Sequence, residues 1–185
     1  YEFQQKGVLS MIKMLNKYNG AILADAVGLG KTWSALAVIK YFQNKGYKTV
    51  LLVPKKLEQN WRAYKLHQGS LFEEDRFDYV IRFHTDLQDE RIDNKSDGLK
   101  LKNFFQSNDK KLFVIDESHN LRNSKSGRYN YLVEHLLNEE VNPNHKVLML
   151  SATPINTSFT DIRNQFKLMV NNSIDGFHEH FGIRN

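Results

Sequence analysis

Cysteine is missing from this sequence altogether. Its absence excludes disulfides and thiolate metal sites and fits a reducing compartment. No apolar run reaches the length needed to cross a bilayer, and no segment repeats or falls into low complexity. The opening residues, YEFQQKGV, carry neither a basic start nor an apolar leader. Together these absences predict a cytoplasmic chain, or a nuclear one in a eukaryote. A start at Tyr1 without an initiator methionine is what an excised domain would show. What is present is 185 residues with 41% hydrophobic and 12% aromatic content, enough for one substantial core, so a single domain over 1–185 is expected. A net charge of +5 and a pI near 9.3 suit a polyanionic partner, although a modest surplus on a domain this size is common for other reasons.

Short apolar runs alternate with helical patterns. The runs are GAILAD (20–25), KTVLLVP (48–54), DYVIRF (78–83), KLFVID (111–116) and KVLMLSA (146–152). Continuous Val, Ile and Leu without alternation is the pattern of strands buried on both faces, hence of a parallel sheet. Helices are predicted over 32–44, 56–66, 99–106, 129–140 and 161–170, the last with Ile162, Phe166 and Met169 on one face and Phe159 just ahead in register. This order predicts an α/β fold, a mostly parallel doubly wound sheet with helices on both faces. Ligands of such sheets sit beyond the carboxyl ends of the strands, which directs attention to the residues after each run. The polar stretch 87–100 reads as a solvated loop.

After the first run comes Gly28-Leu29-Gly30-Lys31-Thr32. Glycines let backbone N–H groups curl around phosphate oxygens at the positive end of the next helix, Lys31 can reach the β and γ phosphates, and the Thr32 hydroxyl can ligate Mg2+. Asp25 stands where the G-x-x-x-x-G-K-[ST] pattern has its first glycine, a position that needs a tight turn more than close phosphate contact. The run KLFVID delivers Asp116 and Glu117 to the same edge, Asp116 suited to hold a metal through water and Glu117 to activate an attacking water. Read alone, DESH also suits a helix N-terminus. Ser151 and Thr153, after the last run, fit either a γ-phosphate sensor or a turn ahead of Pro154.

Taken together, these residues resemble the first RecA-like P-loop NTPase domain of superfamily-two helicases, and in particular the Swi/Snf-like translocases, over nearly the whole chain. ADAVGLGKT looks like motif I, written A-D-E-x-G-L-G-K-T, in which Asp is usual where Asp25 stands; TVLLVPKKLEQNW (49–61) is similar to motif Ia; FVIDESHNLRNSKS (113–126) is similar to the Asp-Glu-Ala-His box and its Lys-Asn-x-x-Ser tail, here Arg122, Asn123 and Ser126. LSATPINTSFTDI (150–162) looks like motif III in its Ser-Ala-Thr form, and Ser118 replaces the usual Ala. The resemblance implies ATP and Mg2+ as cofactors, and a role for His119, Ser151 and Thr153 in coupling the domains. The upstream Gln-x-x-Gly-Val implies that Gln4 contacts the adenine, as an amide that can donate to N7 and accept from the exocyclic amine. It also implies that Pro54, Lys55, Lys56, His84 and Thr85, in the motif Ia and Ib loops, touch a nucleic-acid backbone, with FHTDL (83–87) only weakly like motif Ib. For Lys55 and Lys56 a solvated helix start is the competing reading.

The family's second RecA-like domain, which supplies arginines to the γ-phosphoryl group, has no room after Thr157, so this chain alone is expected to hydrolyse ATP weakly. The expected function is the ATP-binding lobe of a DNA-dependent ATPase that translocates on or remodels duplex DNA. The rivals are an RNA-acting or restriction-type helicase, which the Ser-Ala-Thr form favours, and a vestigial nucleotide-sensing scaffold, which intact Lys31, Asp116 and Glu117 disfavour. His178-Glu179-His180 lacks the HExxH spacing and reads as a solvated tail.

Overall fold

All five apolar runs become strands: β1 (Gly20–Leu23), β2 (Lys48–Val53), β3 (Val80–Phe83), β4 (Lys111–Asp116) and β5 (Lys146–Leu150). The computed structural model describes residues 2–24, 30–65, 77–87, 109–121, 123–138, 140, 142–153 and 159–169. The strands form one sheet in the order β1-β5-β4-β2-β3, and every pairing is parallel. Alternate strand residues then serve opposite faces. Leu51, Val53, Leu112, Val114, Leu148 and Leu150 share one core with α1 (Glu2–Tyr18), α2 (Lys31–Gln43) and Trp61 of α3 (Glu58–Lys65). Val50, Leu52, Phe113, Ile115, Val147 and Met149 share the other with α4 (Gly127–Tyr131) and α5 (Phe159–Met169). Helices therefore cover both faces, as the apolar runs require.

Helix α1 was not among the expected elements. Met11 and Leu15 are buried and Val8, Ile12 and Met14 pack against the same core, an apolar stripe at helical spacing that separates the helix from solvent. Its last turn is tied to β5: the Lys146 ammonium donates to the Leu15 carbonyl at 2.7 Å and to Asn19 Oδ1 at 2.8 Å. Helix α2 starts directly after Gly30, whose φ of 81° is left-handed, and buries Leu36, Ile39 and Phe42. It stops where Gly46, at φ 80°, turns the chain so that Tyr47 N–H bonds the Phe42 carbonyl at 3.0 Å.

The expected 56–66 helix is a 3-10 turn, Lys55–Leu57, followed by α3. The expected 129–140 helix begins earlier, because Ser126 Oγ accepts from Tyr129 N–H at 3.2 Å, and its second half, Leu132–Leu136, is π-helical. Asn142 Nδ2 caps that segment on the Leu136 carbonyl at 2.9 Å. In α5, Met169 is buried but Ile162 and Phe166 are only half-buried, whereas Asp161, Asn164, Gln165 and Leu168 are buried. The polar members are covered because their groups are bonded: Gln165 Oε1 accepts from Ser118 Oγ at 2.8 Å, and the Asn164 carbonyl accepts from Tyr129 Oη at 3.0 Å. The helix expected over 99–106, the side chain of Phe159, Arg122 and residues 88–100 lie outside the described residues.

Candidate nucleotide and metal site

Strand order decides which loops meet. Leu150 pairs with Leu23 on one side and with Asp116 on the other, so the carboxyl ends of β1, β5 and β4 are adjacent. The segments entering and leaving this edge carry Gly30, Lys31 and Thr32; Ser151 and Thr153; and Asp116, Glu117 and His119. Asp25, Gly28 and Leu29 lie outside the described residues, as does Pro154.

Asp116 is held at both oxygens. Oδ1 accepts from Glu117 N–H at 2.9 Å and Oδ2 from the Trp61 indole N–H at 2.9 Å. Burial pushes its carboxyl above the usual range; the Trp61 and Glu117 bonds pull it down, the Glu117 charge pushes it up, and the nearby Lys31 ammonium pulls it down. Glu117 itself sits at φ 51°, a left-handed conformation unusual for a side chain of this kind, and it turns the chain sharply at the end of the strand. Its Oε2 lies 3.2 Å from His119 Nδ1, and the same nitrogen lies 3.3 Å from Ser151 Oγ. Ser151 Oγ in turn accepts from Thr153 N–H at 3.2 Å. The three residues assigned to coupling thus form one relay that begins at Glu117. Ser118, in the position usually held by Ala, is wholly buried and bonded to Gln165, so the extra hydroxyl is matched inside this chain.

The donor set suits a magnesium nucleotide. Mg2+ takes one or two carboxylates together with hydroxyl, water and phosphate oxygens rather than an all-protein cage. Asp116 and the half-buried Thr32 offer such a partial shell, and among the described residues no cluster of three or more His, Asp or Glu offers a complete one. Beside them, α1 and α2 bound a groove of about 460 Å3 lined by Gln4, Val8, Leu9, Trp33, Ser34 and Ala37 among others, mostly apolar and within the size of small-molecule sites. The Gln4 amide rests against Gly30, where a Cβ would come within 2.5 Å of Nε2. Gln4 therefore reaches the start of α2 next to Lys31. Trp33 is 61% exposed at the mouth of this groove and packs edge-on against Tyr64 with centroids 5.0 Å apart.

The residues assigned to nucleic acid divide. Val53 pairs with Phe83, so the turns after β2 and β3 are neighbours on the same sheet edge. Lys55, Lys56 and Thr85 are exposed there and Pro54 is half-buried. His84 is not available: it is 4% exposed, packed under the edge, and among the described residues its Nε2 has no partner. The expectation that its ring touches a backbone is corrected, because β3 ends there and directs the side chain inward while Thr85 faces out. Burial drives its pKa down to about 4, helped by the charges of Arg128 and His119 and opposed by bonds to the Leu52 and Asp116 carbonyls. Sequence reasoning missed Trp61, whose only signal was a large aromatic in an otherwise polar helix, EQNWRAYK.

A parallel α/β sheet with a glycine-led helix, a strand-end Asp-Glu pair and a Ser-Ala-Thr segment at one sheet edge defines a RecA-like nucleotide-binding domain. The chain belongs to the family described as Type III restriction enzyme, res subunit, which matches residues 1–156. It is 33% identical over 162 residues to an uncharacterized ATP-dependent helicase, YqhH, of Bacillus subtilis, covering 85% of this chain and 27% of that protein. It is 29% identical over 182 residues to a SWI/SNF-related matrix-associated actin-dependent regulator of chromatin of Caenorhabditis elegans, subfamily A containing DEAD/H box 1 homolog, covering 88% of this chain and 17% of the relative. The structure of a Sulfolobus solfataricus SWI2/SNF2 ATPase core in complex with dsDNA superposes with a TM-score of 0.66 at 22% identity, over 96% of this chain and 37% of the other. These likenesses bear out the RecA-like fold and the Swi/Snf-like, superfamily-two character of the domain. The chain thus spans about a quarter or less of the two curated relatives. Among the described residues no helix is long and apolar enough to cross a membrane.

Proposed function

We propose that this domain is the ATP-binding lobe of a nucleic-acid-dependent ATPase that couples hydrolysis of magnesium ATP to translocation on, or remodelling of, duplex DNA. The observation that carries the reading is that Lys31 follows β1 and Asp116 and Glu117 end β4, on either side of β5 at one sheet edge, with the Lys31 ammonium close enough to act on the Asp116 carboxyl. Lys31 would hold the β and γ phosphates, the amides of the loop through Gly28, Leu29 and Gly30 would cradle them, and Gln4 would hold the base from the α1 side. Thr32 and Asp116 would hold Mg2+, which supplies neutralisation of phosphate charge. Glu117 would orient a water toward the γ-phosphorus and take its proton as the new P–O bond forms and the bond to the bridging oxygen breaks, leaving ADP and phosphate. His119, whose Nδ1 lies 3.2 Å from Glu117 Oε2 and 3.3 Å from Ser151 Oγ, would report the state of that site through Ser151 and Thr153. Lys55, Lys56, Pro54 and Thr85 would meet a strand's phosphates without reading its bases.

Hydrolysis by these residues alone would be slow, since the family's γ-phosphoryl arginines belong to a second RecA-like domain. The dsDNA named with the Sulfolobus solfataricus core supports duplex DNA as the polymer. A restriction-type helicase is favoured as the second reading by the description of the matching family. Steady-state ATP hydrolysis by the full-length protein, with duplex DNA, single-stranded DNA or RNA and with Glu117→Gln as control, tests both. Stimulation by duplex DNA that vanishes in the control is the expected result. Stimulation confined to single strands or RNA moves the assignment to the RNA-acting helicase, DNA-stimulated activity with strand separation moves it to the restriction-type one, and ATP binding without hydrolysis under any condition removes the motor.

A further inference from the structure

Trp61 is the one buried side chain of α3 and is 1% exposed. Its ring packs edge-on against Tyr79 with centroids 6.2 Å apart, and its carbonyl accepts from Tyr79 Oη at 2.6 Å. Apolar burial at this position would be met equally by Leu or Phe. What the indole adds is a directed N–H, and a buried tryptophan ordinarily finds a partner for it. The partner here is a carboxylate at the edge of the sheet, Asp116 Oδ2, at 2.9 Å. With Oδ1 fixed by Glu117 N–H, the second bond leaves the carboxylate no freedom to rotate and still leaves a lone pair on each oxygen. A charge-assisted bond of this kind is stronger than a neutral one, and donors behind a metal-binding carboxylate orient it toward its cation.

We propose that Trp61 is the positioning residue of Asp116, fixing the orientation in which that carboxylate receives hydrated Mg2+. The proposal rests on the reading of Asp116 as a magnesium-holding group. Its test is Mn2+ binding to the full-length protein, followed by electron paramagnetic resonance in the presence of adenylyl imidodiphosphate, for wild type, Trp61→Phe, Asp116→Asn and the double variant. Because Trp61→Phe leaves a cavity, a second replacement installs 3-benzothienylalanine at position 61, keeping the bicyclic shape and exchanging N–H for sulfur. Leu136→Ala, in the opposite core, controls for general loosening.

Loss of the N–H should weaken Mn2+ binding about tenfold or more in both Trp61 variants. Leu136→Ala should leave that affinity unchanged, and the Trp61 replacements should add nothing in the Asp116→Asn background. If Asp116→Asn weakens Mn2+ binding while the benzothienyl variant binds as wild type does, the positioning role is overturned and the metal assignment stands. If Asp116→Asn itself has no effect, the metal assignment fails and the positioning role with it.

Discussion

The Gln4 side-chain amide and the backbone of Gly30 are in contact: a Cβ at Gly30 would come within 2.5 Å of Gln4 Nε2. The contact joins α1 to the residue before α2, so the helix that carries Gln4 and the start of the helix that carries Lys31 meet at one point. Gly30 also has a φ of 81°, where any side chain is strained by about 1–2 kcal/mol. Gly30→Ala is therefore expected to lower unfolding stability by about that amount and to displace the flexible end of Gln4. Urea unfolding reads the first effect and titration with a fluorescent ATP the second. Weakened ATP binding, with ATP losing more than UTP, is the expected outcome; unchanged binding would make the contact incidental.

Glu117 sets function against stability within one residue. Its φ of 51° is strained for a side chain and free for glycine. Glu117→Gly is expected to keep or raise stability, by up to about 1 kcal/mol, while Glu117→Gln keeps the fold nearly unchanged. Both should lose hydrolysis by about two to four orders of magnitude, as removal of a general base does. A thermal melt beside a phosphate-release assay decides it: a Glu117→Gly variant that is clearly destabilised would show that Glu117 is held by contacts outweighing its strain.

The sheet was legible because strands buried on both faces are largely apolar, and all five runs became strands even though β2 carries the buried Thr49 and β3 the buried Arg82. The strand-end residues Lys31, Asp116, Glu117 and Ser151 were legible for the same reason, since a strand's end fixes where its next residues go. The rest depended on contacts that no local pattern encodes. The stripe of α1, from Val8 through Met11 and Ile12 to Leu15, was present in the letters but lay among polar residues that drew attention to Gln4 instead. The buried face of α5 carries Asp161, Asn164 and Gln165, which an apolar periodicity passes over; Ser118 bonds the Gln165 side chain and Tyr129 the Asn164 carbonyl there. His84 looked like a loop residue because β3 ends beside it, yet it is 4% exposed and bonded to the backbone of Leu52 in β2 and of Asp116 in β4. Trp61 is separated from Asp116 by 55 positions.

His84 should make the fold acid-sensitive. Its pKa falls from 6.5 to about 4 on folding, so the native state holds it neutral while the unfolded chain takes up a proton below 6.5. The stability it preserves is complete above pH 6.5 and is lost as pH falls toward 4, by about 1.4 kcal/mol per unit and about 3 kcal/mol in all. Asp116 has the opposite sign: its carboxyl is raised by burial, so the folded state takes up that proton first and offsets part of the loss. Urea midpoints between pH 7 and 4 for wild type and His84→Leu separate the two. The variant should show a flatter profile across this window, and parallel profiles would exclude His84 as the source.

Lys146 ties α1 to the sheet. It is 7% exposed, with its ammonium 6.0 Å from the Phe42 ring centroid and 5.9 Å from that of Tyr47, and bonded to the Leu15 carbonyl and Asn19 Oδ1. Lys146→Met keeps the stem's packing and removes only the donor. The buried Leu15 carbonyl and the half-buried Asn19 Oδ1 just after α1 then lose a charged partner, a loss of about 2 kcal/mol. Because the damage is confined to the α1 terminus, amide hydrogen exchange should quicken in α1 well before it does in β4 and β5. If exchange instead rises uniformly across the sheet, Lys146 serves the global core. If only α1 loosens and ATP affinity falls with it, Gln4 is held in place by a bond at the far end of its own helix.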